Sequence, residues 1–155
     1  MIKYVNTMVT FSEVPNEISL CIEISNCPCH CKNCHSSYLA QDIGTELTFN
    51  EVRKLIKKNS GISCIALMGG DAEPDKINTL ASFIINHYGS IKVAWYSGRQ
   101  ELSKEINLEN FDFIKLGPYI EELGPLNSKA TNQRFYKVIN CKLIDITDVF
   151  WSKNK

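Results

Sequence analysis

The chain has 155 residues, of which 44% are hydrophobic and 22% charged, and its 17 basic side chains balance 17 acidic ones. This length and composition predict one globular domain, and the neutral balance excludes a nucleic acid or an anionic membrane recruited by bulk charge. No segment reaches the roughly 18 apolar residues of a bilayer span, and residues 1–11 lack the basic start, apolar run and cleavage site of a signal peptide, so a cytoplasmic location is expected.

Along the chain, Ile18, Leu20, Ile22 and Ile24 alternate with Ser19, Cys21 and Glu23, the period of a strand with two unlike faces. That strand runs directly into a cluster of cysteines. Thr48 and Glu51 have capping-box spacing, and Val52, Leu55 and Ile56 supply the apolar face of the helix that follows. Cys64 to Met68 reads as a buried strand ending at Gly69-Gly70. Asp75 is placed to cap a second helix with the stripe Ile77, Leu80, Ala81, Ile84 and Tyr88, stopped by Gly89. Val93 to Tyr96 predicts a third strand, Glu101 to Ile106 a short helix, Phe111 to Leu116 a fourth strand and Phe135 to Ile139 a fifth. The apolar tail from Leu143 to Trp151 is expected to pack without an assigned conformation.

Strand–helix alternation predicts an α/β fold with a mainly parallel sheet, whose unusual loops gather at the carboxyl ends of the strands where such folds bind ligands. A closed eight-stranded barrel takes roughly 200 residues or more. The expectation is therefore a partial, open (β/α) barrel formed by residues 1–155 as a single domain, with a mouth wide enough to admit a loop of another protein.

The chain has seven cysteines, an odd number that fits poorly with a disulfide framework in a reducing compartment. Four of them lie in the eight residues Cys27-Pro28-Cys29-His30-Cys31-Lys32-Asn33-Cys34. Clustered thiolates select soft metal chemistry, such as zinc, copper(I) or iron–sulfur centres. Cys27, Cys31 and Cys34 form C-x3-C-x2-C; three thiolates on one loop can hold three irons of a cubane and leave the fourth open. The alternative is a zinc site using all four cysteines, or three with His30 or His35, although the second C-x2-C unit usual in zinc sites is missing. Cys21, Cys64 and Cys141 are dispersed and read as small buried hydrophobes. His87, at the end of the second helix, reads as a solvated histidine.

C-x3-C-x2-C after a first strand resembles the radical S-adenosylmethionine superfamily, and Met68-Gly69-Gly70-Asp71-Ala72-Glu73-Pro74 resembles its glycine-rich motif. Within that superfamily the chain is most similar to activating proteins of class III anaerobic ribonucleoside-triphosphate reductase. The similarity runs through the cysteine loop with His35-Ser36-Ser37, the Gly-Gly motif, Trp95-Tyr96-Ser97-Gly98, and residues 112–134. The last of these includes Leu116-Gly117-Pro118-Tyr119 and ends in Thr131-Asn132-Gln133-Arg134. The chain departs from the pattern at Asn33, where many members carry an aromatic residue, at Ala72-Glu73, and at the additional Cys29.

This resemblance implies a radical-SAM type of fold and a 4Fe-4S cluster on Cys27, Cys31 and Cys34. It implies S-adenosylmethionine bound at the open iron, with Asn33, Cys34 and His35 on its adenine side, Gly69 and Gly70 at its methionine end, and Ser97 near its ribose. It further implies reductive cleavage to a 5′-deoxyadenosyl radical, with a flavodoxin-like or ferredoxin-like protein as electron donor. The implied protein substrate is a glycine of the reductase large subunit, which becomes a stored glycyl radical. No acid–base catalytic residue is required. Activation of another glycyl-radical enzyme, a small-molecule substrate, and a non-catalytic zinc-binding module remain open alternatives.

Overall fold

The computed structural model describes residues 2–32, 34 and 37–152. Its strands are β1 (Lys3–Thr10), β2 (Ser19–Ile24), β3 (Thr45–Glu46), β4 (Cys64–Met68), β5 (Lys92–Tyr96), β6 (Phe113–Leu116), β7 (Arg134–Ile139) and β8 (Lys142–Asp145). Its helices are α1 (Phe49–Lys58), α2 (Pro74–His87) and the single turn α3 (Val149–Ser152). All eight strands join one sheet in the order β3-β1-β2-β4-β5-β6-β7-β8.

The expected partial (β/α) barrel with a mainly parallel sheet is not what forms. Only the three pairings β2–β4, β4–β5 and β5–β6 are parallel. The four pairings β1–β2, β1–β3, β6–β7 and β7–β8 are antiparallel, which makes the sheet mixed. The physical reason lies in the connections. A parallel neighbour needs a long crossover, usually helical, whereas hairpins return the chain antiparallel. Among the described residues, helices of more than one turn occupy only the crossovers from β2 to β4 and from β4 to β5. The helix expected over Glu101 to Ile106 is replaced by turns and a 3-10 turn at Leu108–Asn110. There the Ser103 hydroxyl accepts the Glu105 N–H at 3.3 Å and the Asn107 carboxamide accepts the Glu109 N–H at 3.1 Å. Such local side-chain bonds compete with helical ones.

The other elements follow local chemistry. The Thr48 hydroxyl caps α1 by accepting the Glu51 N–H at 3.1 Å, and Val52 and Leu55 face the core. In α2, Pro74 takes the first helical position, where its missing N–H is harmless. Asp75 lies inside the first turn rather than capping it. The predicted stripe of α2 is buried at Ile77, Leu80, Ala81 and Ile84.

One face of the sheet, with Leu20, Ile22, Ile24, Ile65, Leu67, Val93, Trp95 and Ile114, packs on α1 and α2. The other face carries Cys21, Cys64, Ala66, Ala94, Phe113 and Phe135, covered by Val14, Leu126, Ile146 and Phe150. Cys21 and Cys64 are thus buried small residues, as expected, whereas Cys141 is exposed in the tight β7–β8 turn, where Asn140 and Cys141 have φ of 50° and 59°. The tail pairs as β8 and packs through Phe150. His87 is exposed at the end of α2, its Nδ1 3.0 Å from the Phe83 carbonyl oxygen and its ring against that of Phe83. Among the described residues, no helix is long and apolar enough to cross a membrane.

Candidate metal centre and ligand pocket

The parallel strands end together. Glu23, Met68, Tyr96, Lys115 and Phe135 are successive register partners across β2, β4, β5, β6 and β7. The residues just beyond this row form the rim that carries the cysteine loop, Gly69 to Asp71, and Ser97-Gly98.

Two hollows meet at the cysteine loop. One, of about 160 Å³, is walled by all four loop cysteines together with Gly69, Asp71, Ser97, Gly98, Lys115, Tyr119 and Gln133 among others. The other, of about 200 Å³, is walled by Cys27, Cys31 and Cys34 with His30, Ser37 and Ala40. The C-x3-C-x2-C triplet therefore borders both hollows, while Cys29 borders only the first. The loop is shaped by Asn26 and His30, with φ of 60° and 46°, and by a turn in which the Cys34 N–H donates to the Cys31 carbonyl at 3.2 Å.

Cys29 points to the sheet rim. Its thiol donates to Asp71 Oδ2 at 3.6 Å. Asp71 is 7% exposed; its Oδ2 also accepts the Gly98 N–H at 2.9 Å and its Oδ1 accepts the Ser97 hydroxyl. A Cβ at residue 98 would stand 2.8 Å from Cys29 Sγ, so glycine there lets the thiol pack directly on the rim. Among the described residues, one set of three metal-capable donors converges within 4.8 Å: Cys27, Cys29 and Asp71. The hydrogen bond with Cys29 holds the Cys27 thiol down to about 6, with burial acting in the opposite direction. The same bond, then burial and the Asp71 charge, raises the Cys29 thiol.

Lys115 is the buried cation of the site. Its ammonium donates to the Ser97 carbonyl at 3.2 Å and the Gly117 carbonyl at 2.8 Å. Burial pushes it below its ordinary value, opposed by Asp71 and then by the loop cysteines. On the far rim, the Asn132 carboxamide donates to the Pro118 carbonyl at 3.0 Å, joining the two segments that contribute Tyr119 and Gln133 to the hollow.

Of the residues singled out from sequence, Cys27, Cys31, Cys34, Gly69 and Ser97 meet at this site. Asn33 and His35 lie outside the described residues. Gly70 does not wall the hollow: it turns toward α2 with φ 87°, and a Cβ there would be 2.4 Å from Ile77 Cδ1. The Ser97 hydroxyl is committed to Asp71 and accepts the Arg99 N–H at 3.1 Å, so it organises the rim. Lys115, Tyr119 and Gln133 were not expected at the site. The signal for Lys115 was a lone cation in the apolar run Phe113-Ile114-Lys115-Leu116.

The donor chemistry fits an iron–sulfur cluster: three thiols of one loop wall shared space, and among the described residues they are not a set that converges within 4.8 Å as the ligands of one ion would. Comparison with protein families, with curated proteins and with solved structures finds no match for this chain.

Proposed function

We propose that this chain is a radical S-adenosylmethionine activase that generates the glycyl radical of an anaerobic ribonucleoside-triphosphate reductase. The observation that carries the reading is the placement of Cys27, Cys31 and Cys34 around two adjoining hollows at the carboxyl ends of the parallel strands, with Gly69 in the wall of one. The site and the sequence resemblance, rather than the fold, support this function, since one fold hosts many activities.

Cys27, Cys31 and Cys34 would hold the cluster, which with bound S-adenosylmethionine and one electron from a flavodoxin-like or ferredoxin-like donor supplies a 5′-deoxyadenosyl radical for hydrogen abstraction. The chain contributes position and charge. Gly69 would set its backbone at the methionine end of the cofactor through a turn only glycine takes readily, with φ of 108° and a Cβ position 2.9 Å from the Ile24 carbonyl oxygen. Lys115 brings an amine held by the Ser97 and Gly117 carbonyls to a hollow that also carries the loop thiols and the Asp71 carboxylate. Asp71 and Ser97 hold the β4 and β5 ends in register, so the wall facing the loop is rigid. The segments of residues 116–123 and 131–134, whose likeness points to the reductase, lie together on the rim through the Asn132–Pro118 bond.

Iron and acid-labile sulfide analysis of anaerobically purified protein tests the reading. Iron and sulfide in equal amounts support it, and failure of the zinc-free protein to take up iron and sulfide on anaerobic reconstitution contradicts it. For the partner, mixing the reduced, S-adenosylmethionine-loaded protein with the reductase should produce a glycyl radical doublet; its absence with a fully loaded cluster refutes that assignment.

A further inference from the structure

Cys29 is surplus to the C-x3-C-x2-C triplet, yet the structure builds it into the rim. Its sulfur is packed over Gly98, hydrogen-bonded to a buried carboxylate, and part of the converging set Cys27, Cys29 and Asp71. We propose that these three residues form a second metal set, for a single thiophilic divalent ion such as Zn2+, which shares Cys27 with the cluster triplet and therefore competes with it. The competition, though not the ion site itself, rests on the cluster reading above.

The spacing suits one tetrahedral ion. With metal–sulfur and metal–oxygen bonds of about 2.3 and 2.1 Å, a tetrahedral edge between a thiolate and a carboxylate oxygen is about 3.6 Å. The Cys29 Sγ to Asp71 Oδ2 separation is 3.6 Å. The ion would replace the thiol proton now lying between these atoms. Both cysteines enter as thiolates, so binding releases whatever thiol protons they carry, while Asp71 enters as the carboxylate and keeps its Ser97 and Gly98 donors as an outer shell that orients it. Two thiolates and one carboxylate leave the bound divalent ion with one net negative charge. The buried Lys115 ammonium, which walls the same hollow, offsets it. Pro28 separates the two cysteines and fixes the backbone between them.

The two metal sets differ in reach. The compact one serves a single ion and uses the sheet rim. The wide one, Cys27, Cys31 and Cys34, lies wholly on the loop. Because Cys27 belongs to both, an ion held by the compact set leaves only Cys31 and Cys34 for a cluster.

The test is titration of the metal-free, reduced full chain with Co2+, read by sulfur-to-cobalt charge-transfer absorption, with Zn2+ as competitor. The proposal expects binding by the wild type, weakened more than about 10–100-fold in Cys29→Ala and Asp71→Asn, and retained in Cys31→Ala and Cys34→Ala. Wild-type affinity in Cys29→Ala, or an equal loss in Cys31→Ala, would overturn it. Far-UV circular dichroism checks the fold of each variant, and the loop variant Cys29→Ala keeps the test decisive if Asp71→Asn does not fold. Iron–sulfide reconstitution separates the two readings. Zn2+ loaded beforehand should block it in wild type and not in Cys29→Ala. Failure of the zinc-free wild type to take up iron and sulfide would sink the activase while leaving the ion site to stand or fall on cobalt.

Discussion

The Lys115 ammonium donates to the Gly117 carbonyl at 2.8 Å from a residue that is only 9% exposed. A second bond, to the Ser97 carbonyl, ties the ends of β5 and β6 together at the edge of the hollow. Replacing Lys115 by Met keeps the stem's volume but strands both carbonyls and removes the charge that faces Asp71. Hydrogen bonds to charged groups contribute roughly 1.5–3 kcal/mol each, and the relief of a buried ammonium offsets part of that. The expected net loss is about 1–3 kcal/mol, measured by urea unfolding. Unchanged stability would show that the two bonds only repay the burial of the charge.

Gly70 and Gly89 make a paired prediction. At Gly70 the backbone has φ 87° and a Cβ would stand 2.4 Å from Ile77 Cδ1, in the buried contact between the β4 end and α2. Gly70→Ala therefore combines backbone strain with overpacking, and should cost about 2–4 kcal/mol. At Gly89 nothing lies within 4 Å of a built Cβ. Gly89→Ala should be neutral or stabilising by up to about 1 kcal/mol, through a less flexible unfolded chain. Thermal unfolding of the two variants side by side checks both.

These residues also show what could be read in advance. The strand patterns at Ile18 to Ile24, Cys64 to Met68 and Val93 to Tyr96, and the helical stripe from Ile77 to Ile84, are written in local periodicity and reappear as β2, β4, β5 and α2. β1 escaped notice because most of its residues are only half-buried or exposed, with no clean alternation to mark a buried face. Its pairing with β2, and those of β7 with β6 and β8, turn the sheet from parallel to mixed. The cysteine loop was legible because its cysteines are neighbours in sequence. The job of Cys29 was not, since its partner Asp71 is 42 residues away. A Gly-Gly turn does not reveal in sequence which glycine faces the rim and which faces a helix, and here Gly70 faces α2.

Buried acids of the second sheet face predict an alkaline weakness. Burial pushes the Cys21 and Cys64 thiols from 9.0 to about 12, and raises Tyr96 well above 10.0. Their folded values exceed the unfolded ones, so the unfolded chain loses these protons first as pH rises. The stability they contribute is full below about 9 and is lost progressively toward 12. Lys115 acts with the opposite sign: its folded value is depressed, so the folded chain releases that proton first and gains stability as pH rises toward 10.5. Unfolding free energies should therefore fall above pH 9, less steeply in a Cys21→Ala, Cys64→Ala double variant and more steeply in Lys115→Met. A flat profile from pH 7 to 11 would contradict this ordering.

The most direct measurement of the central claim is electron paramagnetic resonance of the dithionite-reduced, cluster-loaded protein with and without S-adenosylmethionine. The account predicts a reduced-cluster signal that S-adenosylmethionine shifts, through an iron left open by a Cys27, Cys31 and Cys34 ligand set. It predicts loss of the signal when any one of those three is replaced by Ala, and its persistence in Cys29→Ala. A signal indifferent to S-adenosylmethionine, or one that vanishes with Cys29 and survives without Cys31 or Cys34, would contradict it.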